Sequence, residues 1–490
     1  MGSGRRTSVS PRDARADRGT KSGSRAKGSA RISSGRVAPL YKRLPHGPHR
    51  LERVEVIHNQ RARIHGAMVE AVARGGYEGT SVKQVIGLAG VSRRSFYEQF
   101  ANKQECFLVT FDLIARRELA QIKEAYLAAD GSLEERTGAA FRRFAQTIED
   151  ERNTVVLAAL EAQRAGPAGV LHLRKATSAC EQMLTCSFAE SPYAIQLPLP
   201  VVRGIVGGLH GIASAFLRQS PTEEPGCAGL AEEMLRWTLL FQSPAAQDMS
   251  ERMAAGLAAR MREISSAYGH RLGDAEEPSR DERTRLLQGI LRLVTHDDYS
   301  TLSAPQIADE ANVSIDAFCE LFTDKRDCFL AALDMIGDEL LAIAADPDLV
   351  SSDWAGAVRR VLAALMRYLA DHPLQARTIA QEAFFIGSEA VERTVELAQS
   401  IATLLTEGTP TEADGRHTTD AVAGAIWHTI RCQVASGRVE LLPALSDHLA
   451  YVVLAPFIGA EAAVEIVTEE RRPARSPSAD ADEIGVLQST

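Results

Sequence analysis

Cysteine is scarce in this chain. Seven occur in 490 residues: Cys106, Cys180, Cys186, Cys227, Cys319, Cys328 and Cys432. No two stand as C-x-x-C, and an odd number spread over a long chain is no disulfide framework. A reduced, cytoplasmic protein is the simplest expectation. Cys106 and Cys328 sit on apolar helix faces and are expected to be small buried residues. Long apolar runs are missing as well. The longest uncharged apolar stretch, Gly204 to Leu217, has 14 residues, short of the ~18–20 needed to span a bilayer. No membrane association is expected. The N-terminal residues lack an apolar core, so no secretory signal is expected either. Metal-ligand spacings, phosphate loops and nucleophile motifs do not occur. No catalytic residue, metal or cofactor is therefore assigned, the ligand-binding residues are unknown, and an enzyme is the least favoured class.

What the chain does have is helical periodicity and unevenly placed charge. Its length implies two to four domains. Residues 1–50 hold 13 Lys/Arg against two Asp, while the remainder holds 42 against 62. A basic arm on an acidic body implies local contact with a polyanion. The arm is too poor in apolar groups to offset chain entropy, so 1–50 is expected to be disordered.

One segment occurs twice. Arg61 to Ile114 aligns without a gap on Arg283 to Ile336, and 18 of the 54 aligned pairs are identical. They include Tyr77/Tyr299, Ser92/Ser314, Phe96/Phe318, Phe100/Phe322, Lys103/Lys325 and the Cys-Phe-Leu runs at 106 and 328. Ile64, Ala67, Met68, Ala71 and Val72 recur at helical spacing, as do Leu286, Gly289, Ile290, Leu293 and Val294. Gly75-Gly76 closes the first helix. Ser81 and Ser303 are expected to cap the second, with Pro305 in its first turn. Gly90 and Asn312 occupy one turn position, and those two residue types tolerate positive φ best. Ser92 and Ser314 then cap a third helix. This is a helix-turn-helix pattern, whose last helix enters the major groove. Phe96 and Phe100 point inward, leaving Arg93, Arg94, Ser95 and Tyr97 for base edges and phosphates.

The stretch Gly75-Gly-Tyr-Glu-Gly-Thr-Ser-Val82, with Ala89-Gly-Val-Ser-Arg-Arg-Ser-Phe-Tyr-Glu-Gln-Phe-Ala-Asn-Lys103, resembles the DNA-binding domain of the tetracycline-repressor (TetR) family. The resemblance covers about 55 residues, twice. It implies an all-α protein of two tandem units, each a three-helix helix-turn-helix domain followed by a helical ligand-binding and dimerisation domain. The expected organisation is a basic arm (1–50), a DNA-binding domain (51–114, motif about 82–101), a regulatory domain (115–265), a linker (266–282), a second, degenerate helix-turn-helix domain (283–336), a second regulatory domain (337–465) and a disordered tail (466–490). The resemblance further implies a repressor of transcription, relieved by a small-molecule effector. Such a protein is cytoplasmic, and nucleoid-associated when bound to double-stranded DNA. By the same resemblance, Thr80 and Ser81, with Lys83 beside them, meet phosphate; Ser92 caps the reading helix; Arg93, Arg94 and Ser95 face the groove; Tyr97 and Lys103 clamp the DNA backbone.

The second copy departs where contact is made. Ile315, Asp316 and Cys319 replace Arg93, Arg94 and Tyr97, and the charge from the Ser cap to the Lys changes from +2 to −2. Phosphate attraction supplies most non-specific affinity, so docking through this copy is expected to be weak. The basic stretch Tyr41 to Arg50 is expected to assist the first copy from the minor groove. A stripe of glycines (Gly204, Gly207, Gly208, Gly211) suits a close helix contact, with Val422 to Trp427 as its counterpart, in an intramolecular pseudo-dimer or a homodimer. His172, His210, His428, Trp237 and Trp427 are expected to be packing residues ahead of ligand contacts. The alternative to a regulator is a ligand-sensing or protein-interaction module with vestigial DNA binding.

Overall fold

The computed structural model describes residues 53–191, 194–219, 226–243, 261, 281–296, 299–350, 353–409 and 415–468. The basic arm, most of the linker and the tail beyond 468 lie outside the described residues. Every regular element among those residues is helical.

The first half runs α1 (Arg53–Gly79), α2 (Val82–Ala89), α3 (Arg93–Tyr97), α4 (Lys103–Ala128), α5 (Leu133–Val156), α6 (Gly166–Ala189), α7 (Leu199–Arg218) and α8 (Cys227–Leu239). The second half begins with α9 (Glu282–His296), α10 (Ala304–Glu310), α11 (Ile315–Leu321), α12 (Lys325–Ala344) and α13 (Trp354–Asp371). It continues through α14 (Pro373–Arg377), α15 (Ala383–Ile386), α16 (Ser388–Thr406), α17 (Thr418–Ala435), α18 (Ser446–Ile458) and α19 (Ala460–Thr468). A π-helical turn stands ahead of a left-handed glycine in both halves: Leu157–Glu161 before Gly166, and Thr378–Glu382 before Gly387.

Local chemistry explains the element ends. Gly76 breaks α1 at φ 68°. Ser81 caps α2 in a reciprocal box with Gln84, and Ser303 does the same with Gln306 for α10, where Pro305 lies in the first turn. Gly90 and Asn312 both adopt left-handed backbone, at φ 60° and 50°. The exchange of Gly for Asn at one position had required this. The expected domain boundaries at 114/115 and 336/337 fall inside α4 and α12 instead of between elements. Neither helix contains a proline, so each continues from the helix-turn-helix segment into the body, α12 through Gly337.

The buried apolar side chains form two clusters. One contains Ile64, Met68, Val72, Val85, Phe96, Phe100, Phe107, Phe111 and Ile114, closed by Leu157, Ala162, Ala165 and Leu173. The other contains the equivalent residues of the second unit, from Leu286 to Ile336, merged with the cores that follow both units. The largest helix–helix contact is α7 against α17. A Cβ on Gly207 would overlap Gly424 O, a Cβ on Gly424 would overlap Gly207 O, and one on Gly211 would overlap Asp420 O. The glycine stripe therefore packs backbone to backbone within one chain. Gly208 leaves room for the Trp237 ring, whose Nε1 donates to Ile205 O at 3.0 Å.

Two helical stretches, Leu199–Arg218 and Val439–Ile458, are long and apolar enough to cross a membrane by length and composition. This differs from the sequence expectation, because isolated polar residues had divided these runs. Their apolar windows are 67% and 83% buried inside the protein, against other helices of the chain.

Candidate nucleic-acid interface

The first helix-turn-helix is assembled by short-range bonds. Gln84 N donates to Ser81 Oγ at 3.3 Å, and Ser81 N donates to Gln84 Oε1 at 2.7 Å. Ser95 N donates to Ser92 Oγ at 3.0 Å, starting α3. Phe96 and Phe100 are buried, with ring centroids 5.6 Å apart. Burying them turns the intervening residues outward. Ser81, Lys83, Ser92, Arg93, Arg94 and Tyr97 are exposed and Ser95 is half-buried. The Arg93 guanidinium lies 5.6 Å from the centre of the Tyr97 ring. Arg94 Nε pairs with Glu98 at 2.8 Å, with 88% of the arginine side chain exposed. An exposed i, i+4 pair of this kind is worth at most ~0.5 kcal/mol, so it yields readily to phosphate.

Two residues expected on this surface are elsewhere. Thr80 is 3% exposed, and its hydroxyl donates to Gly76 O at 2.7 Å. It holds the turn after α1. Lys103 is half-buried. Its Nζ donates to Tyr77 O at 2.9 Å and lies 4.2 Å from the Tyr77 ring centre. Burial holds its pKa below the usual lysine value, opposed by Glu78. Lys103 thus ties α4 to the end of α1. The second unit makes the same tie: Lys325 Nζ donates to Tyr299 O at 2.9 Å and Leu302 O at 2.8 Å.

Five structural residues escaped the sequence reading: Arg63, Arg285, His65, Glu161 and Arg164. Arg63 donates to Ala89 O, and to Gly90 O at 2.8 Å, stapling the turn from α1. Arg285 reaches Asn312 O at 3.2 Å in the second unit. Their identity in both copies was the available signal. His65 Nδ1 is 2.8 Å from Thr110 Oγ1, inside the first core. Burial, then Arg61, pushes the His65 pKa down to about 4. Glu161, 5% exposed, accepts from Tyr77 N at 2.7 Å and pairs with Arg164 at 2.6 Å. Arg164 in turn pairs with Glu392 of the second half at 2.6 Å. No local pattern announces so long-range a chain of contacts.

In the second unit the outward residues of α11 are Ile315, Asp316, Cys319 and Glu320, all exposed. The surface is mixed apolar and acidic, where the first unit is basic.

Residues 66–110 match the family model described as bacterial regulatory proteins, tetR family. No curated protein matches the chain. Among solved structures, it is similar to the fatty acid degradation regulator FadR of Bacillus halodurans. That alignment has 18% identity and a TM-score of 0.33, covering 36% of this chain and 96% of that one. A transcriptional regulator FadR from Bacillus subtilis, solved in complex with stearoyl-CoA, aligns at 15% identity and a TM-score of 0.33, again over 36% and 96%. The family match thus falls on residues 66–110, which hold the end of α1, α2, α3 and the start of α4.

Proposed function

We propose that this chain, with its tetR-family domain at residues 66–110, is a sequence-specific regulator of transcription that reads double-stranded DNA mainly through Arg93, Arg94, Ser95 and Tyr97. The single observation that carries the reading is the contrast of surfaces on one framework. The first reading helix presents two exposed arginines, and the second presents Ile315 and Asp316 in their place. Arginine grips guanine edges or phosphate bidentately. Ser81, Lys83 and the exposed rim of α2 supply flanking phosphate contacts. We read the second unit as a diverged copy that serves as a built-in partner, with α7 and α17 joining the halves as a pseudo-dimer.

The regulatory reading, repression relieved by a small molecule, draws on a cavity of about 660 Å³ between the halves. Its lining includes Leu160, Arg164, Val170, Trp427 and Arg431. That volume suits a mid-sized organic effector. Trp427 Nε1 is buried with no protein acceptor, a donor left for a ligand. Arg164 lines the cavity and binds Glu161, which binds the Tyr77 amide beside the Gly76 break. An effector that moves Arg164 therefore alters the seat of the reading head.

The test is fluorescence anisotropy with a duplex selected from random sequence. Affinity is expected to fall steeply with salt, and Arg93→Ala with Arg94→Ala to weaken it by roughly 100-fold, at ~1–3 kcal/mol per arginine contact. Unchanged binding in the double variant, with an unchanged circular-dichroism spectrum, would move the reading surface away from α3 and favour a sensing module.

A further inference from the structure

The sequence pattern suggested no metal ligands, because spacing along the chain shows only His428 and Cys432, one helical turn apart on α17. The fold adds a third group from the other half. Glu181, on α6, brings Oε1 to 3.1 Å from His428 Nε2. Cys432 Sγ lies 3.6 Å from that same nitrogen. All three donor atoms are within 4.8 Å of one another.

The convergence on one atom is the informative point. A catalytic relay of carboxylate, imidazole and thiol uses the two ring nitrogens for two different partners. Here both partners approach Nε2, which carries at most one hydrogen. A carboxylate and a thiol, both largely buried, thus compete for one donor. A cation placed among the three atoms satisfies all of them.

The spacing supports this. Zinc bonds of about 2.3 Å to sulfur and about 2.0–2.2 Å to nitrogen and oxygen, at tetrahedral angles, put N and S about 3.6 Å apart and N and O about 3.4 Å apart. The second carboxylate oxygen, Oε2, faces Arg203 Nε at 3.8 Å, leaving Oε1 directed at the histidine.

We propose that Glu181, His428 and Cys432 form a binding site for a zinc-class divalent cation, with a fourth coordination position open to the cavity between the halves. Thiolate with imidazole selects borderline cations over magnesium and calcium, which take oxygen ligands. His428 and Cys432 both line the cavity, so the remaining position is reached from it, by solvent or by a polar atom of a bound molecule. Three protein ligands with one open position is the arrangement of exchangeable zinc centres, not of closed structural ones. The cation would also cross-link the halves, because Glu181 belongs to the first and the other two ligands to the second.

The test uses the full chain with the exposed thiols removed by Cys186→Ser and Cys319→Ser, stripped with chelator and titrated with Co²⁺. One equivalent is expected to give a thiolate-to-cobalt charge-transfer band and the intense visible absorption of four-coordinate cobalt, both displaced by Zn²⁺. Cys432→Ser should abolish the charge-transfer band. Glu181→Gln should weaken cobalt binding at least ~10-fold, since even outer-shell changes cost that much. A parent chain that gives no such band overturns the proposal without reference to any variant. A band that persists in Cys432→Ser overturns it too, by assigning the thiolate elsewhere.

Discussion

Residues 61–114 and 283–336 share a helical framework and differ in attachment. The first has its own apolar core, closed by four residues that follow it; the core of the second is merged with the body. The first packs on the body through Leu157, Ala162, Ala165 and Leu173, with polar contacts from Tyr77 N to Glu161 and from Ser388 N to Glu78. The segment with the basic surface thus keeps a core apart from the main one, and the segment with the acidic surface shares the main core. Surface and attachment diverged together, and only the surface was readable in the sequence.

The largest test of this comparison transfers the surface. Ile315→Arg with Asp316→Arg gives α11 the two arginines of α3. Salt-dependence of DNA binding should steepen by about two in logarithmic slope if both reach phosphate, at ~0.9 per contact. No change, measured by anisotropy across a salt series, would mean that the second unit is kept from DNA by position and not by charge.

Next in size is the response to acid. His65 and Thr110 in the first core correspond to Leu287 and Ala332 in the second. The His65 pKa is about 4 when folded, against 6.5 for the free side chain. The unfolded chain therefore binds the extra proton first. Its contribution is complete above pH 6.5 and is lost as pH falls toward 4, by up to ~3 kcal/mol. Hydrogen exchange of α1 and α4 should show acid opening of the first unit, with α9 and α12 unaffected by this group. His65→Leu with Thr110→Ala should remove the difference.

The lysine ties come third. Lys103→Ala and Lys325→Ala should each destabilise their own unit by ~1.5–3 kcal/mol, the range for a hydrogen bond from a charged donor. Thermal melting checks this. If Lys103→Ala instead lowers the salt slope by about one with an unchanged melting temperature, Lys103 is a phosphate clamp after all.

The smallest effect is at the turn. Gly90→Ala should cost ~1–2 kcal/mol, since a Cβ there is strained by positive φ and meets Arg63 Nη2 at 2.7 Å. Asn312→Gly should stay within ~1 kcal/mol of the parent. Equal penalties at the two sites would show that the turns are not equivalent.

These predictions also mark how far the sequence could be read. Helix periodicity, the serine caps and the left-handed Gly90/Asn312 position were legible because each depends on residues within one turn of one another. The outward set on α3 was legible because Phe96 and Phe100 fix the inward face. The backbone bonds of Thr80 and Lys103 were not legible, because a hydroxyl or an ammonium can serve phosphate or backbone equally well, and only the fold supplies the nearby carbonyls of Gly76 and Tyr77. Lys325 held the clue: a residue kept in a unit that has lost its basic surface belongs to the framework. Glu161 was illegible because its partner Tyr77 stands 84 residues away, and Glu181 and the cavity because they are completed from the other half.

The Gly207–Gly424 contact has a consequence for dosage. In a homodimer the equivalent pairing would dissolve on dilution, and occupancy of a target would rise with the square of a scarce subunit. Here both helices travel on one chain, so their encounter is intramolecular and its effective concentration is set by the connecting segment. A cell holding a few copies of the chain has as large a paired fraction as one holding many. If one chain is the binding unit, a titration of DNA against protein follows a simple hyperbola down to the lowest concentrations; a sigmoidal curve would assign binding to a dimer of chains.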